Sequence, residues 1–431
     1  MSDAKWYYVD GDEEVGPITS TELRDLVRQG VIVRDTEIRK TGMDKFVAAK
    51  RLKNMPFDEA GAVATAVADE DSGTARFSDD SPSVDAPKVN EPKGSAPKAN
   101  IPPPSGDDQA LVAAIGDAYE RMLGEIRKKI IGQKEVVEQV LTCIFASGHC
   151  LLLGVPGLAK TLLCSSISEA LGVAFKRIQF TPDLMPTDIT GTDIIQEDPE
   201  TGRRQYTFLP GPIFCNMLLA DEINRTPPKT QAALLEAMQE KQVSVGGQIY
   251  KLDKPFFVMA TQNPLDQEGT YALPEAQMDR FLYNIYVDYP EHEDELEIAR
   301  VVTSGESQEI NSVVSGEEIL QFQNLIKRAP VADHILEFAV RLVRSTRKGR
   351  EEAPDFINEW INFSAGPRAC LSLISSAKAR AILHGRYHVA EEDIRAVARP
   401  VLRHRISPNF GAAAEGITSD IIVDKLLDHL G

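Results

Sequence analysis

The sequence predicts an α/β protein built on a parallel sheet, followed by a helical domain and preceded by a small α+β module and a disordered linker. Three short apolar runs are each bounded by turn residues and separated by helical segments, which is the pattern of buried strands in a parallel sheet. These runs are Cys150–Leu153, Met217–Ala220 and Phe256–Ala260. Strand signals disappear after Glu291, and a change of composition between residues 58 and 107 separates two folded parts.

The bulk composition is that of a multidomain globular protein. The chain has 431 residues, more than one hydrophobic core usually organises, so two or three domains are expected. Apolar residues make up 42% of the chain and charged residues 26%. The 65 acidic and 47 basic residues give a net charge of −18, which repels phosphate backbones and anionic lipid. A nucleic-acid partner is therefore not expected.

The cysteines and the N-terminus indicate the compartment. The five cysteines are odd in number and form no C-x-x-C pair, which favours buried thiols in a reducing environment. The first residues lack a basic-then-apolar signal pattern, and no stretch approaches the roughly 18 to 20 continuous apolar residues of a membrane span. We expect a cytoplasmic protein without a membrane span.

The first 56 residues are predicted to form a small α+β module. They open with the aromatic cluster Trp6–Tyr8, turn at Asp10-Gly11, and continue into a short helix that Gly30 can end. Residues 57–107 are rich in Ala, Asp, Ser, Pro and Lys, so they offer too little apolar surface to offset the entropy of ordering. We expect this stretch to be a linker, most simply a solvated spacer.

The helical period returns after Asp107, which predicts an α/β domain over residues 108–290 and a helical domain over residues 291–431. In the second domain no strand is expected. Helical spacing marks Gln133–Ala146 in the first of these domains. In the second domain it marks Ile319–Ile326, His334–Thr346, Ala369–Leu383 and Ala390–His404.

A glycine-rich turn follows the first apolar run and precedes a helical segment, which is the context of a phosphate-binding loop. Its glycines would let backbone N–H groups and the helix N-terminus face an anion. Lys160 would then reach the β and γ phosphates, and Thr161 would bind Mg²⁺. The predicted nucleotide-binding residues of this loop are Gly154, Val155, Pro156, Gly157, Leu158, Ala159, Lys160, Thr161 and Leu162.

One residue departs from the G-x-x-x-x-G-K-[ST] form of this loop, because Ala159 stands where the last glycine is usual. Alanine is acceptable there if the residue already has helical dihedral angles. The departure leaves a chance glycine-rich turn open as an alternative for the isolated motif.

An acidic pair supports the nucleotide interpretation. The second apolar run leads directly into Asp221 and Glu222, about sixty residues after the loop. At the carboxyl edge of a parallel sheet, Asp221 can hold the water shell of Mg²⁺, and Glu222 can orient and polarise the attacking water. A pair of carboxylates at a helix start is common on its own, but it is improbable at this spacing after a phosphate loop.

The third apolar run ends in Thr261-Gln262-Asn263-Pro264. An Asn-Pro turn alone carries little information. Because this strand would end at the same sheet edge as the other two, the Asn263 amide is predicted to act as a polar sensor of the γ-phosphate or the attacking water.

Several longer runs extend the pattern beyond the loop: Asp183–Gly191, Leu209–Phe214, Asp221–Arg225, Glu236–Met238 and Leu273–Phe281. Through them the chain resembles the MoxR family of AAA+ ATPases from about Asp108 to Gly431. The family's own loop commonly has Ala at the position of Ala159. The resemblance implies a P-loop AAA+ core with a helical lid, and ATP and Mg²⁺ as cofactors.

The resemblance also implies roles that spacing alone could not assign. Arg280 is the candidate arginine finger for a neighbouring subunit, although an Arg beside an acidic residue is more often a surface ion pair. Arg368 is the candidate sensor in the lid, where Gly366 replaces a Ser common in the family. Ile131 and Gly132 resemble the stretch that packs on adenine, with an ordinary interhelical loop as the alternative.

Two predicted hairpins, at residues 192–208 and 242–251, resemble the helix-2 insert and the pre-sensor hairpin of this AAA+ clade. Such inserts imply contact with a client or a central pore, and plain structural hairpins remain the alternative. The first fifty residues resemble a GYF-like module through Trp6–Tyr8, Gly16-Pro17, Leu23, Gly30 and Gly42-Met43.

The resemblance therefore implies an ATP-driven remodelling machine that forms a homo-oligomer, expected to be a hexameric ring, and acts on a client protein of the von Willebrand factor A type. The alternative is a nucleotide-gated scaffold that recruits partners through the N-terminal module. A DNA-acting activator or helicase is disfavoured by the acidic charge balance and by the lack of a helix-turn-helix signal.

Overall fold

The computed structural model describes residues 6–10, 13–19, 23, 26–27, 32, 36–41, 47–48, 106–197, 204–264, 270–304 and 308–431. The chain forms two compact units, Met1–Ala96 and Pro97–Gly431, and each is described by itself. The predicted linker lies outside the described residues except for its last two positions, which already belong to the first helix of the second unit.

The first unit contains an antiparallel sheet in the order β2-β1-β3-β4. Tyr8 from the aromatic cluster packs with Leu23 and Val27, which are helical, and with Ile32 and Ile38 in a small core. The α+β prediction for this module is confirmed. The strands are β1 (Trp6–Asp10), β2 (Glu13–Ile18), β3 (Glu37–Lys40) and β4 (Val47–Ala48).

A parallel sheet of five strands organises the second unit, in the order β13-β5-β12-β9-β6. The three predicted strands are confirmed as its three central members. The two edge strands, β6 and β13, were not predicted, because neither is a bounded apolar run. The strands are β5 (Cys150–Leu153), β6 (Phe175–Gln179), β9 (Met217–Asp221), β12 (Phe257–Gln262) and β13 (Tyr283–Tyr286).

Both faces of this sheet are covered, because successive residues of each central strand enter two different hydrophobic clusters. Leu151 and Leu218 lie in the cluster on one face, whereas Leu152 and Leu219 lie in the cluster on the other. The latter cluster continues without interruption through the N-terminal helices of this unit and into its C-terminal helices. The core on this face of the sheet and the core of the lid are therefore one.

Seven α-helices belong to the described part of the α/β region. The predicted helix over Gln133–Ala146 is confirmed to within one residue at each end. They are α1 (Gly106–Ile126), α2 (Lys134–Phe145), α3 (Lys160–Ala170), α4 (Pro186–Thr190), α5 (Pro228–Glu240), α6 (Glu275–Met278) and α7 (His292–Ser304), with a 3₁₀ turn at Ile223–Arg225.

The C-terminal region is mainly helical, as predicted, but its lack of strands was a wrong expectation. Ile361–Phe363 (β14) and Ser407–Pro408 (β15) form a short antiparallel pair. Strands of three and two residues are too short to show an alternating pattern. The helices are α8 (Gly316–Arg328), α9 (Asp333–Ser345), α10 (Asp355–Trp360), α11 (Pro367–Leu383), α12 (Glu391–Leu402), α13 (Phe410–Ala414) and α14 (Ser419–Leu430).

Two hairpins project from the α/β region at the predicted places. Gly191–Glu197 (β7) pairs with Arg204–Pro210 (β8), and the predicted turn at residues 198–202 lies outside the described residues. Gln242–Val245 (β10) pairs with Gln248–Lys251 (β11) across Gly246-Gly247, both at positive φ. Among the described residues, no helix is both long and apolar enough to cross a membrane.

Candidate nucleotide site

The phosphate loop connects the end of β5 to the start of α3 at Lys160. Gly157 has φ of 89°, a conformation that favours glycine. Gly154 is required for a different reason, because a Cβ there would lie 2.5 Å from the Val287 carbonyl oxygen. The loop can therefore turn beside the sheet edge with the N-terminus of α3 directed at it, which is a site for an anion.

The conformation of Ala159 departs from that of a right-handed helix. The condition of helical dihedral angles, under which alanine is acceptable, is not met, because Ala159 has φ of 52° and ψ of 24°, in the left-handed region. Its Cβ makes this conformation cost about 1–2 kcal/mol relative to a right-handed one. The usual glycine at this position is thus explained by the backbone, and the alanine here is tolerated under strain.

Replacing Ala159 with Gly is expected to raise the free energy of unfolding by about 0.5–1 kcal/mol, because relief of the left-handed strain exceeds the added entropy of the unfolded chain. Denaturant titration measures it. The matched control is Ala170→Gly at the other end of α3, which has no such strain to relieve and should destabilise the protein. A loss of stability in both variants would contradict the strain argument.

Lys160 lies between the loop and the acidic pair. Its Nζ donates a hydrogen bond to the Gly154 carbonyl. Burial lowers the pKa of Lys160, and the nearby Asp221 and Glu222 carboxylates raise it in part. A half-buried ammonium in this position favours an incoming phosphate.

Thr261 joins the two predicted acidic residues, a contact that sequence reasoning missed. Its hydroxyl donates to Asp221 Oδ1 at 2.6 Å and accepts from the Glu222 backbone N–H at 2.8 Å. Asp221 belongs to β9 and Thr261 to the adjacent β12, so parallel pairing brings them together. The register of the two strands therefore sets the direction of the Asp221 carboxylate and fixes the main chain of Glu222.

Two further residues beside the acidic pair come from the edge strand β6. Arg177 Nη2 lies 2.6 Å from Asp221 Oδ2, and Gln179 Nε2 donates to Glu222 Oε2 at 2.7 Å. Arg225 Nε also lies 3.3 Å from Glu222 Oε2. The polar, partly exposed character of β6 hid both the strand and its site residues, and its five residues show no period-two alternation that could have indicated a strand.

Asn263 directly follows β12, and its residue is 7% exposed. The preceding Gln262 is the register partner of Leu153, so Asn263 lies at the level of the start of the phosphate loop. The predicted position at the shared sheet edge agrees with the structure, while its sensing role stays a prediction.

An apolar cavity of about 500 Å³ adjoins the loop and includes Ile131, Leu158 and Leu162 in its wall. Tyr289 and residues of α7 complete it and were not predicted. Gly132 has φ of 68°, and a Cβ there would lie 2.3 Å from Asp294 Oδ2. The segment between α1 and α2 therefore approaches α7 closely. A cavity of this kind suits a nucleotide base.

Arg280 and Arg368 meet in a second cavity of about 730 Å³, whose wall contains neither the phosphate loop nor the acidic pair. Arg368 Nη1 lies 3.8 Å from Asp279 Oδ2, next to Arg280 in the chain. The structure thus brings the two predicted arginines together and separates them from the chain's own loop.

The chain is similar to known proteins over most of its length. The chain is 42% identical over 326 residues to the protein "Chaperone MoxR1" of Mycobacterium tuberculosis, covering 75% of this chain and 84% of that protein. It is 32% identical to "Protein MoxR" of Methylorubrum extorquens, covering 71% and 93%. A Cytophaga hutchinsonii protein assigned as an ATPase, with a crystal structure at 2.00 Å, matches with a TM-score of 0.70 and 40% identity, covering 75% of this chain and 97% of that one.

Family profiles match three parts of the chain. Residues 149–283 match the ATPase family associated with various cellular activities (AAA), residues 357–426 the AAA lid domain, and residues 6–54 the GYF domain 2. Fold and site together define an ATPase of the AAA class with an N-terminal GYF-type module. The extent of identity to the relatives is more specific, and the chain belongs to the MoxR family of AAA+ ATPases.

Proposed function

We propose that this protein hydrolyses ATP in a Mg²⁺-dependent reaction and uses the cycle to remodel a client protein. One observation carries the first part: Lys160, Asp221 and Glu222 converge beside a phosphate loop whose far side opens into an apolar cavity. Lys160 would hold the β and γ phosphates, and the cavity would hold the base. Glu222 would orient the attacking water and accept its proton.

The residues present fit Mg²⁺. Thr161 is exposed in the first turn of α3, and Asp221 ends the strand two places away in the sheet. Magnesium usually takes one or two protein ligands together with substrate phosphates, which this pair can provide. When bound, the ion neutralises charge that develops on the phosphates.

Removal of Mg²⁺ by excess EDTA is expected to abolish ATP turnover, and added Mg²⁺ should restore it. Phosphate release measures both steps, and the Lys160→Ala protein, expected to bind nucleotide weakly, serves as the blank. Turnover that persisted in EDTA would contradict a metal role for Thr161 and Asp221.

The position of the arginines supports a site shared between subunits. Within one chain Arg280 and Arg368 line a different cavity from the loop, which favours contact with the γ-phosphate bound by a second copy. We therefore propose a homo-oligomeric, hexameric ring in which Arg280 is the arginine finger and Arg368 is the sensor in the lid. Asn263 would sense the γ-phosphate from within the loop's own subunit.

The hairpin β7–β8 supports the proposal of a client. Its side chains Ile195, Tyr206 and Leu209 are 60%, 78% and 54% exposed, an apolar surface suited to another protein. One relative is named a chaperone, and a von Willebrand factor A-type client is the proposed partner. The competing function is a nucleotide-gated scaffold that recruits partners through the N-terminal module, and sustained turnover stimulated by a client would exclude it.

A further inference from the structure

Three consecutive residues that follow the lid helix α12 contact the main chain of the segment that carries Arg280. Arg403 Nη1 donates to the Asn284 carbonyl at 3.3 Å, and His404 Nε2 lies 3.1 Å from the Phe281 carbonyl oxygen. All three side chains of this group, which ends with Arg405, are less than a tenth exposed. The lid thus reaches the main chain of the α/β domain at the base of the finger.

Arg405 makes the most complete of these contacts. Its Nη2 donates to the Phe281 carbonyl at 2.7 Å and to the Asp279 carbonyl at 3.2 Å, so it binds the main chain on both sides of Arg280. Its Nη1 donates to the Leu282 carbonyl at 3.1 Å. Its Nε donates to Asp279 Oδ1 at 2.7 Å. The guanidinium therefore bonds to Asp279, Phe281 and Leu282, the residues that flank Arg280 in the turn.

Burial of Arg405 restricts the positions that the contacted turn can take. Arg405 is 3% exposed, and a buried guanidinium is tolerated only where acceptors replace its water. The carbonyls and the Asp279 carboxylate supply those acceptors, and their directions are fixed by the planar fork. If the turn moved, the buried guanidinium would lose its hydrogen-bond acceptors, so the turn is held in one position.

Arg280 itself depends on this support. Its Nε is buried and has no hydrogen-bond partner within the described part of the chain. The Asp279 carboxylate also faces Arg368, at 3.8 Å, so the same clamp lies behind both arginines of the cavity. The direction of the finger is therefore set more by its main chain than by bonds of its own Nε.

We propose that Arg405 is a positioning residue for Arg280: it is a lid arginine that holds the finger in line with the neighbouring subunit's nucleotide. The inference rests on the proposed trans role of Arg280. A misplacement of about 1 Å can cost about 10²-fold in rate, so a positioning role predicts a kinetic defect without any defect in the chain's own loop.

Mixing variant subunits tests the proposal, because it assigns Arg405 to a complementation group. Arg405→Gln alone is expected to lower kcat by about 10- to 100-fold while the Kd for a fluorescent ATP analogue changes less than about twofold. Rings mixed with Lys160→Ala should regain activity, since one subunit has the intact loop and the other the positioned finger. Rings mixed with Arg280→Ala should not, since neither subunit supplies that finger.

Two further variants separate positioning from general packing. Arg405→Lys keeps the charge but loses the planar, branched guanidinium. Its kcat should lie between those of the wild type and Arg405→Gln, and it should fall in the same complementation group as Arg280→Ala. Arg399→Gln removes an exposed ion pair between α12, the helix that precedes Arg405, and Asp424 of α14, and should leave both kcat and Kd unchanged.

The outcomes are distinguishable. Rescue of Arg405→Gln by Arg280→Ala, or an unchanged kcat, would overturn the proposal. If Lys160→Ala and Arg280→Ala fail to rescue each other in confirmed mixed rings, the trans finger is wrong and the inference falls with it. Should Arg405→Gln not give folded rings, Asp279→Asn removes only the carboxylate. Its placement in the Arg280 group supports the proposal, and any other placement overturns it.

Discussion

Replacing Glu222 with Gln is expected to lower kcat for ATP hydrolysis by about 10²- to 10⁴-fold while ATP binding is retained, because the amide cannot accept the proton of the attacking water. The change preserves the local structure. An amide oxygen can still accept the hydrogen bond from Gln179, and the backbone N–H still meets Thr261. Phosphate release and nucleotide affinity, measured separately, give the two quantities.

A carboxylate outside the site provides the matched control. Glu337 is exposed on the lid helix α9, and Glu337→Gln removes the same charge without touching the site. Wild-type turnover in Glu222→Gln would rule out its assigned role. The same variant, held with ATP, is expected to retain a client that Lys160→Ala does not, so affinity capture with the pair tests the remodelling proposal.

Arg280→Ala and Lys160→Ala proteins are each expected to be inactive alone, with a loss of about 10³- to 10⁵-fold for the finger. Mixed, they should regain part of the wild-type turnover, because some interfaces then pair an intact Lys160 with an intact Arg280. The separate cavities of the loop and the finger are the structural reason.

The measurement is turnover as a function of mixing ratio, with mixed rings confirmed by mass. As a control, Arg280→Ala subunits are mixed with Glu337→Gln subunits, whose site is intact. This mixture gives the activity expected from dilution alone. Turnover that never exceeds the sum of the separate proteins would show that the two residues do not act across one interface.

Local pattern was sufficient for the centre of the sheet and insufficient for its edges. Each central strand is buried on both faces, so Met217–Asp221 and its neighbours appear as apolar runs. Phe175–Gln179 lies at an edge, where only one side chain is fully buried, and its composition does not separate it from a loop. Arg177 and Gln179 were missed together with the strand that carries them.

The site shows the same division. The residues of the loop are consecutive in sequence, and so are the two residues of the acidic pair, so motif and spacing predict them. Thr261 meets Asp221 through the register of two strands, and Arg405 meets Asp279 from a lid turn more than a hundred residues away in sequence. No local pattern encodes those contacts. Arg280 and Arg368 were found through family resemblance, and the structure adds that both line one cavity together with Asp279.

The continuous hydrophobic cluster that joins the sheet to the lid bears on how this protein can be divided. Apolar residues of α11, such as Leu373 and Ile382, belong to the same cluster as Ile115 and Met122 of α1. A fragment that stopped before the lid would expose this apolar surface to water and invite aggregation. The smallest fragment that keeps this core closed therefore extends from α1 to α14, and the lid cannot be treated as a detachable piece.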